Sequence, residues 1–185
     1  MHTGEQSYSR FLSGDKKGLE EIIVEYSDEL VLYINQIVGN IDLSKDIMTE
    51  TFVKLYVKKP EYSEKSSFKT WLFSIARFTA YDYIKKNKGI SLLSDEELNS
   101  FPDEESIERK VIQNEEKINL HRAIKKLKPE YSQIIYLIYF EGLDTSETAK
   151  VIKKTKKQTG ELLYRAKLSL KKILEKEGIS DYDIL

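Results

Sequence analysis

The chain has 185 residues, of which 33% are charged and 40% are hydrophobic, and its formal net charge is −1. This length suits one domain or two small ones, since domains commonly run from about 50 to 200 residues. No run approaches the roughly 18 apolar residues of a membrane span, and the first residues lack the basic and apolar segments of a secretory signal. We therefore expect a globular cytoplasmic protein that does not cross a membrane.

Residues that build metal centres and disulfides are scarce. Cysteine is absent, and the two histidines, His2 and His121, lie far apart in the sequence. Disulfides, thiolate metal sites and a histidine-rich centre are thereby excluded. The sequence also lacks a phosphate-cradling glycine loop and a histidine placed to serve as the base for a nucleophile. Only ions held by carboxylates remain possible, and we expect no enzyme activity, no metal, no cofactor and no small-molecule substrate.

Charge is divided along the chain in blocks. Residues 1–90 carry thirteen basic and thirteen acidic side chains, whereas residues 91–120 carry three basic and nine acidic ones. Residues 121–174 then carry thirteen Lys and Arg against five Asp and Glu, and residues 175–185 hold one Lys against four acids. A basic block behind an acidic tether is typical of a nucleic-acid reader. The blocks favour two domains over one.

Apolar residues in the first ninety positions recur at helical spacing. One stripe runs from Leu19 to Ile37 and predicts a first helix. A second helix is expected after a short turn, with Asp42 or Ser44 as its N-cap and an end before Pro60. Its inward residues are predicted to be Ile47, Met48, Thr51, Phe52 and Leu55.

A polar loop at 60–67 precedes a third helix, predicted from about residue 67 to residue 87. Its inward stripe is predicted to be Phe68, Trp71, Leu72, Ile75, Ala76 and Thr79. Its outward face and flanks offer aromatic and polar side chains among cations: Lys69, Thr70, Phe73, Arg77, Phe78, Tyr81, Lys85, Lys86 and Lys88. Such a face suits unpaired bases, because rings stack on a base while cations hold the backbone. The alternative is that single rings among Phe73, Phe78 and Tyr81 are core residues, although the surrounding cations argue against burying all three.

The second half of the chain is also helical in pattern. Residues 89–110 have weak periodicity and acidic runs, which predict a tether. Helices are predicted over Val111–Leu127, from Pro129 to about Phe140, over Thr145–Lys153 and, with Thr155 as N-cap, over Lys156–Glu175. The predicted fold is all-α, with two small helical domains at 1–90 and 111–177, an acidic flexible linker at 91–110 and an acidic tail at 178–185.

The last two predicted helices, joined by a short turn, have the arrangement of a helix-turn-helix, whose second helix enters the DNA major groove. Its buried stripe is predicted to be Thr159, Leu163, Ala166, Leu170 and Leu174. The candidates for contact with bases and phosphates are Lys156, Lys157, Gln158, Glu161, Tyr164, Arg165 and Lys167. Gln, Glu and Arg can read base edges, whereas Lys mostly contacts phosphates. An ordinary solvated basic helix is the alternative, because paired helices with a short turn are common in all-α proteins.

Six short stretches, in their order and spacing, carry a resemblance to a known family. They read DIMTETFVKLY at 46–56, SFKTWLFSIAR at 67–77, DYIKK at 82–86, LKPEY at 127–131, EGL at 141–143 and LYRAK at 163–167. Together they resemble the extracytoplasmic-function (ECF) sigma factors, which are bacterial RNA polymerase initiation subunits built from a region-2 domain and a region-4 domain.

This resemblance implies partners and site residues. The helix at 46–56 would bind the β′ clamp helices of core RNA polymerase through Asp46, Glu50 and Phe52, which gives a role to the eight acids of residues 20–50. The loop and the helix after it would recognise and melt the minus-10 promoter element, with a flipped base held by the loop. The residues implied there are Tyr62, Ser63, Lys65, Ser66, Lys69, Thr70, Phe73, Arg77, Phe78, Tyr81 and Lys85. The helix-turn-helix would read the minus-35 element as duplex, and the polymerase β flap and an anti-sigma factor, in some cases membrane-anchored, are further expected partners.

The chain departs from the family pattern at three places. Phe78 stands where the family often has Asn, and Lys153 stands where the turn commonly has Gly. The predicted recognition helix reads QTGEL at 158–162, where the family often reads TVKSR, so two usual cations are missing. We expect a sigma factor without catalytic chemistry. The alternatives are a stand-alone helix-turn-helix transcription regulator and a helical interaction protein without DNA binding, which would leave the +8 charge of residues 121–174 unexplained.

Overall fold

The computed structural model describes residues 3–87, 120 and 122–176, and all regular structure within these ranges is helical. The chain divides into two compact units, Met1–Ser100 and Phe101–Leu185. The predicted all-α fold with two helical domains is confirmed. The predicted linker at 91–110, the tail at 178–185 and most of the predicted helix at 111–127 lie outside the described residues.

Four helices form the described part of the first unit. They are α1 (Gly4–Leu12), α2 (Lys17–Val38), α3 (Ile41–Lys58) and α4 (Phe68–Asn87). Helix α2 lies at the centre, in contact with each of the other three. Its residues 30–37 are all buried as a result, and each fully buried Leu or Ile in this run contributes about 1.5–3 kcal/mol of hydrophobic stabilisation.

Helix α1 was not among the predicted elements. The Thr3 hydroxyl accepts a hydrogen bond from the Gln6 backbone, and the Gln6 side chain accepts one from the Thr3 backbone. This reciprocal arrangement is a capping box, which the sequence pattern Thr-x-x-Gln signals. The short apolar stripe of Tyr8 and Phe11 buries against the rest of the unit.

The N-cap of α3 is Asn40, so the prediction of Asp42 or Ser44 as the cap is wrong. Asn40 is extended, and its side-chain oxygen accepts a hydrogen bond of 2.9 Å from the Leu43 backbone. An extended Asn preceded by Gly39 in the left-handed region at φ 68° ends one helix and starts the next within two residues.

The second unit contains α5 (Pro129–Tyr139), α6 (Thr145–Ile152) and α7 (Lys156–Lys176). Pro129 occupies the first turn of α5, where its missing N–H costs nothing. The three helices pack on one another and bury Ile134, Leu137, Ile152 and Leu170. Helix α7 is therefore held firmly along one side, and its other side faces solvent.

Candidate nucleic-acid interface

One face of α4 presents aromatic rings beside cations. Phe78 is 56% exposed and Tyr81 is 39% exposed. The guanidinium carbon of Arg77 lies 4.5 Å from the ring centroid of Tyr81, and the ammonium of Lys54 lies 6.0 Å from that of Phe78. Cations at such distances are attracted to the ring face. We call Lys54, Arg77, Phe78 and Tyr81 the aromatic-cationic face; exposed Lys85 follows it one turn further along.

Phe73 and Thr70 are fully buried, so their predicted place on the outward face of α4 is wrong. The Phe73 ring packs against Tyr33 of α2, with 5.2 Å between ring centroids. The Thr70 hydroxyl lies 2.7 Å from the Ser67 hydroxyl. Because α4 packs against three other helices, its buried surface is wider than a single stripe. Trp71, predicted to face inward, is only half-buried.

The loop at 60–67 is closed by a tyrosine. The Tyr62 hydroxyl donates a hydrogen bond of 2.6 Å to the Ser66 carbonyl. The Tyr62 ring stands edge-on to Phe68 and lies 5.2 Å from Trp71, centroid to centroid. Partial burial raises the pKa of Tyr62 above its usual value, and the nearby carboxylates of Glu5 and Glu64 raise it further by a smaller amount. The hydroxyl therefore stays protonated at neutral pH and remains a donor.

The other polar residues predicted to face DNA differ in their surroundings. Ser63 and Lys65 are exposed in the loop, and Ser66 is half-buried. The ammonium of Lys69 lies 3.1 Å from the Glu29 carboxylate and also packs over a buried ring of α4. A phosphate that binds Lys69 must therefore compete with Glu29.

The α3 surface carries the carboxylates predicted to bind polymerase. Asp46 is exposed, and half-buried Glu50 pairs with Lys54 at 2.9 Å. Phe52 is buried, so its ring is not available as a surface contact and that part of the prediction is wrong. Phe52 instead lies in the core, on the side of α3 that packs against α2 and α4.

Exposed apolar side chains on α3 were missed by the sequence prediction. Val53 and Val57 are both more than half exposed. Asp46, Glu50, Val53 and Val57 follow one another at steps of four, three and four residues, so they lie on one face of the helix. We call these four residues the α3 stripe. Their spacing was readable from the sequence, but Val53 and Val57 were not assigned to either face.

Helix α6 has a capped start and ends in a residue of left-handed conformation. Asp144 begins α6 by accepting hydrogen bonds from the Glu147 and Ser146 backbones, which lower the pKa of its carboxyl. Helix α6 ends at Lys153, whose φ of 55° lies in the left-handed region. A residue with a side chain adopts this conformation at a cost of about 1–2 kcal/mol. The turn geometry that glycine favours is thus formed here by a lysine.

Thr155 is the N-cap predicted for α7. Its hydroxyl accepts a hydrogen bond of 3.2 Å from the Gln158 backbone, and the Gln158 side-chain oxygen accepts one of 3.0 Å from the Thr155 backbone. The two bonds form a capping box. The amide oxygen of Gln158 is therefore engaged in holding the helix start, and its amide N–H₂ group is the part suited to a base contact.

The exposed side of α7 carries six of the seven residues predicted to contact the minus-35 element. These are Lys156, Lys157, Gln158, Glu161, Tyr164 and Arg165. Lys167 is half-buried, with its ammonium 5.6 Å from the Tyr139 ring centroid. The opposite side buries Thr159, Ala166, Leu170 and Leu174, whereas Leu163 is half-buried. The arrangement presents cations, amides and one aromatic ring to a groove.

No group of three or more His, Asp or Glu residues in the described ranges is placed to hold a metal ion. None of the helices described for this chain is long and apolar enough to cross a membrane. The aromatic-cationic face and the exposed side of α7 both carry aromatic rings, positive charge and hydrogen-bonding groups.

Two protein-family models match the chain. Sigma-70 region 2 matches residues 22–90, which include the loop and the aromatic-cationic face. Sigma-70, region 4 matches residues 117–170, which include the turn and the start of α7. Both matches therefore fall on the surfaces described above, in the order that the sequence resemblance implies.

Similar proteins agree with the family matches. The chain is 27% identical to the ECF RNA polymerase sigma factor BldN of Streptomyces coelicolor, over 89% of this chain and 63% of BldN. It is 25% identical to the ECF RNA polymerase sigma factor SigM of Bacillus subtilis, over 88% of this chain and 98% of SigM. The fold is similar to that of the sigma factor RpoE in its crystal structure with the anti-sigma factor NepR from Bartonella quintana, with a TM-score of 0.62, 16% identity and coverage of 86% and 98% of the two chains.

Proposed function

Because the chain belongs to the ECF subfamily of sigma-70 RNA polymerase sigma factors, we propose that its first unit binds core polymerase and reads the melted minus-10 element while its second unit reads the minus-35 duplex. Such a factor directs initiation at selected promoters. It has no chemistry of its own, since the polymerase makes the RNA. Its partners are core RNA polymerase and promoter DNA, and we place its action in the cytoplasm, where both are found.

The exposure of Phe78 and Tyr81 beside Arg77 and Lys54 carries the minus-10 proposal. Stacking on an aromatic ring contributes about 1–3 kcal/mol per base, and extruding a base costs a few kcal/mol. One or two such contacts therefore offset the melting of a short stretch. Arg77 and Lys54 bind the phosphates of the unpaired minus-10 strand, while Phe78 and Tyr81 stack on its bases. Exposed Ser63 and Lys65 of the loop complete the site, with the flipped base accepted by the loop.

The α3 stripe is proposed to bind the β′ clamp helices. Its carboxylates at Asp46 and Glu50 supply complementary charge, and Val53 and Val57 supply apolar surface on the same face. Fully burying a valine contributes about 1.5–3 kcal/mol, so the two valines are the larger part of the expected affinity. Phe52 supports this surface from the core.

The exposed start of α7 is proposed to read the minus-35 element. Arg165, Glu161 and the amide N–H₂ of Gln158 are suited to base edges, whereas Lys156 and Lys157 are suited to phosphates. Each base contact contributes about 1–3 kcal/mol of discrimination. Docking of this unit near the polymerase β flap would set its distance from the minus-10 site.

Control by an anti-sigma factor is part of the proposal. The similar RpoE fold occurs in a complex with the anti-sigma factor NepR. A partner that covers the α3 stripe would block polymerase binding directly, because the same exposed valines serve both contacts. A pull-down from the native host that recovers no such partner would count against this part.

The test is co-purification with bacterial core RNA polymerase, followed by run-off transcription on a promoter library. We expect stable binding and selective initiation from the wild-type chain. Val57→Asp should weaken polymerase binding about tenfold or more, because it places a charge in an apolar contact. Val24→Asp is the matched control, since Val24 is an exposed valine on α2 outside the α3 stripe, and it should bind normally. Failure of the wild-type chain to bind polymerase, together with a footprint on duplex DNA alone, would favour a stand-alone regulator.

A further inference from the structure

Helix α1 reaches the loop at 60–67 through one buried tyrosine. The Tyr8 hydroxyl donates a hydrogen bond of 2.6 Å to the Pro60 carbonyl, which lies 52 residues away in the sequence. The Tyr8 ring centroid lies 5.0 Å from that of Trp71 and 5.7 Å from that of Phe68. Tyr8 thus contacts the loop at its first residue and the helix at the loop's other end.

The Tyr8 hydroxyl remains protonated and donates its hydrogen bond to the Pro60 carbonyl. Tyr8 is 1% exposed, and burial raises its pKa to about 12, so the hydroxyl keeps its proton at neutral pH. Pro60 has no N–H, so its carbonyl is the only backbone hydrogen-bonding group by which that residue can be anchored. Loss of the donor leaves this carbonyl without its protein partner.

Helix α1 is anchored independently of the loop. A Cβ at Gly18 of α2 would overlap the Ser7 carbonyl oxygen, so α1 and α2 meet backbone to backbone there. The Arg10 guanidinium pairs with Asp15 and, at 2.9 Å, with Glu21. These contacts make α1 a fixed support against which the loop is placed.

Two tyrosine hydroxyls bracket the exposed part of the loop. Tyr8 holds the Pro60 carbonyl and Tyr62 holds the Ser66 carbonyl. Both rings pack against Trp71, at 5.0 Å and 5.2 Å between centroids. The segment between the two bonds contains exposed Ser63 and Lys65. Its conformation is therefore set by a common aromatic support and by one hydrogen bond near each end.

We propose that Tyr8 is a positioning residue for base reading, whose hydroxyl holds the loop in the conformation that accepts an extruded minus-10 base. This inference rests on the proposed function of the loop. Tyr8 itself is buried and does not touch DNA. It acts through the Pro60 carbonyl and the ring of Trp71, and its loss leaves the loop with a wider range of conformations.

The test compares Tyr8→Phe with Tyr26→Phe in polymerase holoenzyme. The first change removes only the hydroxyl bound to the loop. The second removes a hydroxyl from a ring in the same aromatic cluster, since Tyr26 is buried and packs on Phe68, but it leaves the Pro60 bond intact. The probe is a promoter library with a randomised minus-10 element, read by sequencing the transcripts. We expect Tyr8→Phe to reduce discrimination among minus-10 sequences about fivefold, the change that one hydrogen bond of ordinary net strength supplies.

A second readout reports on the loop without DNA. Trp71 is the only tryptophan of the chain, so its fluorescence reports this cluster alone. Tyr8→Phe should change its emission and its quenching by acrylamide, because one of the two tyrosines packed on it loses its anchor. Polymerase affinity should stay within twofold of wild type.

Equal minus-10 discrimination by Tyr8→Phe and wild type would overturn the inference. An equal loss in Tyr26→Phe would do so too, because general loosening of the core would then explain the effect. A wild-type chain that binds polymerase but selects no minus-10 sequence would instead refute the proposed function of the loop.

Discussion

The loop with α4 and the exposed start of α7 contain similar residue types, yet they are built in opposite ways. In the first region rings and cations contact one another: Arg77 packs on Tyr81, Lys69 packs over Phe73, and Tyr62 packs on Trp71. In the second region the cations extend from a single helix whose far side is buried. An unpaired base has no fixed position, so its site must be shaped in advance, whereas duplex DNA supplies a rigid groove that a regular helix can fit.

The largest expected effect comes from separating α1 from α2, on which the first region depends. Gly18→Ala places a Cβ against the Ser7 carbonyl oxygen and 2.9 Å from the Phe11 amide nitrogen. Backbone atoms cannot move aside as a flexible side chain can, so we expect a loss near the upper end of the 1–3 kcal/mol typical of overpacking. Urea denaturation of the full chain, followed by Trp71 fluorescence, measures it. An unchanged midpoint would mean that the backbone contact between α1 and α2 shifts easily to accept a Cβ, and would contradict the description of α1 as a fixed support.

Removal of an exposed ring tests the function of the first region without disturbing its core. Phe78→Ala should reduce open-complex formation by about 1–3 kcal/mol, the contribution of stacking on one base, and should leave polymerase binding intact. Tyr164→Ala is the matched control, because Tyr164 is 66% exposed on α7 and should affect minus-35 duplex binding instead. Permanganate footprinting of melted thymines separates the two effects. A melting defect of the same size in both variants would break the distinction between the regions.

Gly160 in α7 has open space where a side chain would lie, in contrast to the enclosed Gly18. A Cβ at Gly160 would meet nothing within 4 Å, and Gly in a helix interior costs about 1 kcal/mol relative to Ala. Gly160→Ala should therefore raise the stability of the second unit by about 1 kcal/mol, measured by thermal denaturation of the full chain. Destabilisation would show that α7 has a packing constraint that its exposed surface does not reveal.

Acid should weaken the supports of both regions, although less than the substitutions do. Hydrogen bonds from Arg10 lower the pKa of Asp15, and backbone hydrogen bonds lower that of Asp144. A carboxyl whose pKa is lower in the folded state stabilises the fold above its unfolded pKa of about 3.9, and this contribution is lost as the pH falls through the folded value. Asp15→Asn should remove part of this dependence in the first unit and not in the second, as followed by Trp71 fluorescence and by amide exchange in α7. Identical pH profiles for Asp15→Asn and wild type would contradict this role.

Helical periodicity and turn residues predicted six of the seven named helices: most of the six bury a long apolar stripe, and α6, with only eight residues, lies between a turn at 141–144 and the N-cap Thr155. These signals missed α1, whose stripe is short and whose main signal is a polar capping box at Thr3 and Gln6. Periodicity placed Phe73 on the wrong side because a helix packed among three neighbours buries more than one stripe. The helix-turn-helix surface was predicted better, since a helix packed on one side obeys the simple pattern. The hydrogen bond from Tyr8 to Pro60 joins positions 52 residues apart, and no local pattern indicates such a contact.

Lys153, in the turn between α6 and α7, affects both the folding of this turn and the charge of the surface beside it. Its backbone takes the left-handed conformation at φ 55°, which glycine adopts without strain. Its side chain adds positive charge beside α7, the helix proposed to read the minus-35 element. At this position conformational ease and electrostatic attraction therefore favour different amino acids. Lys153→Gly would therefore trade electrostatic attraction to duplex DNA against ease of folding, at a position outside the residues proposed to read bases.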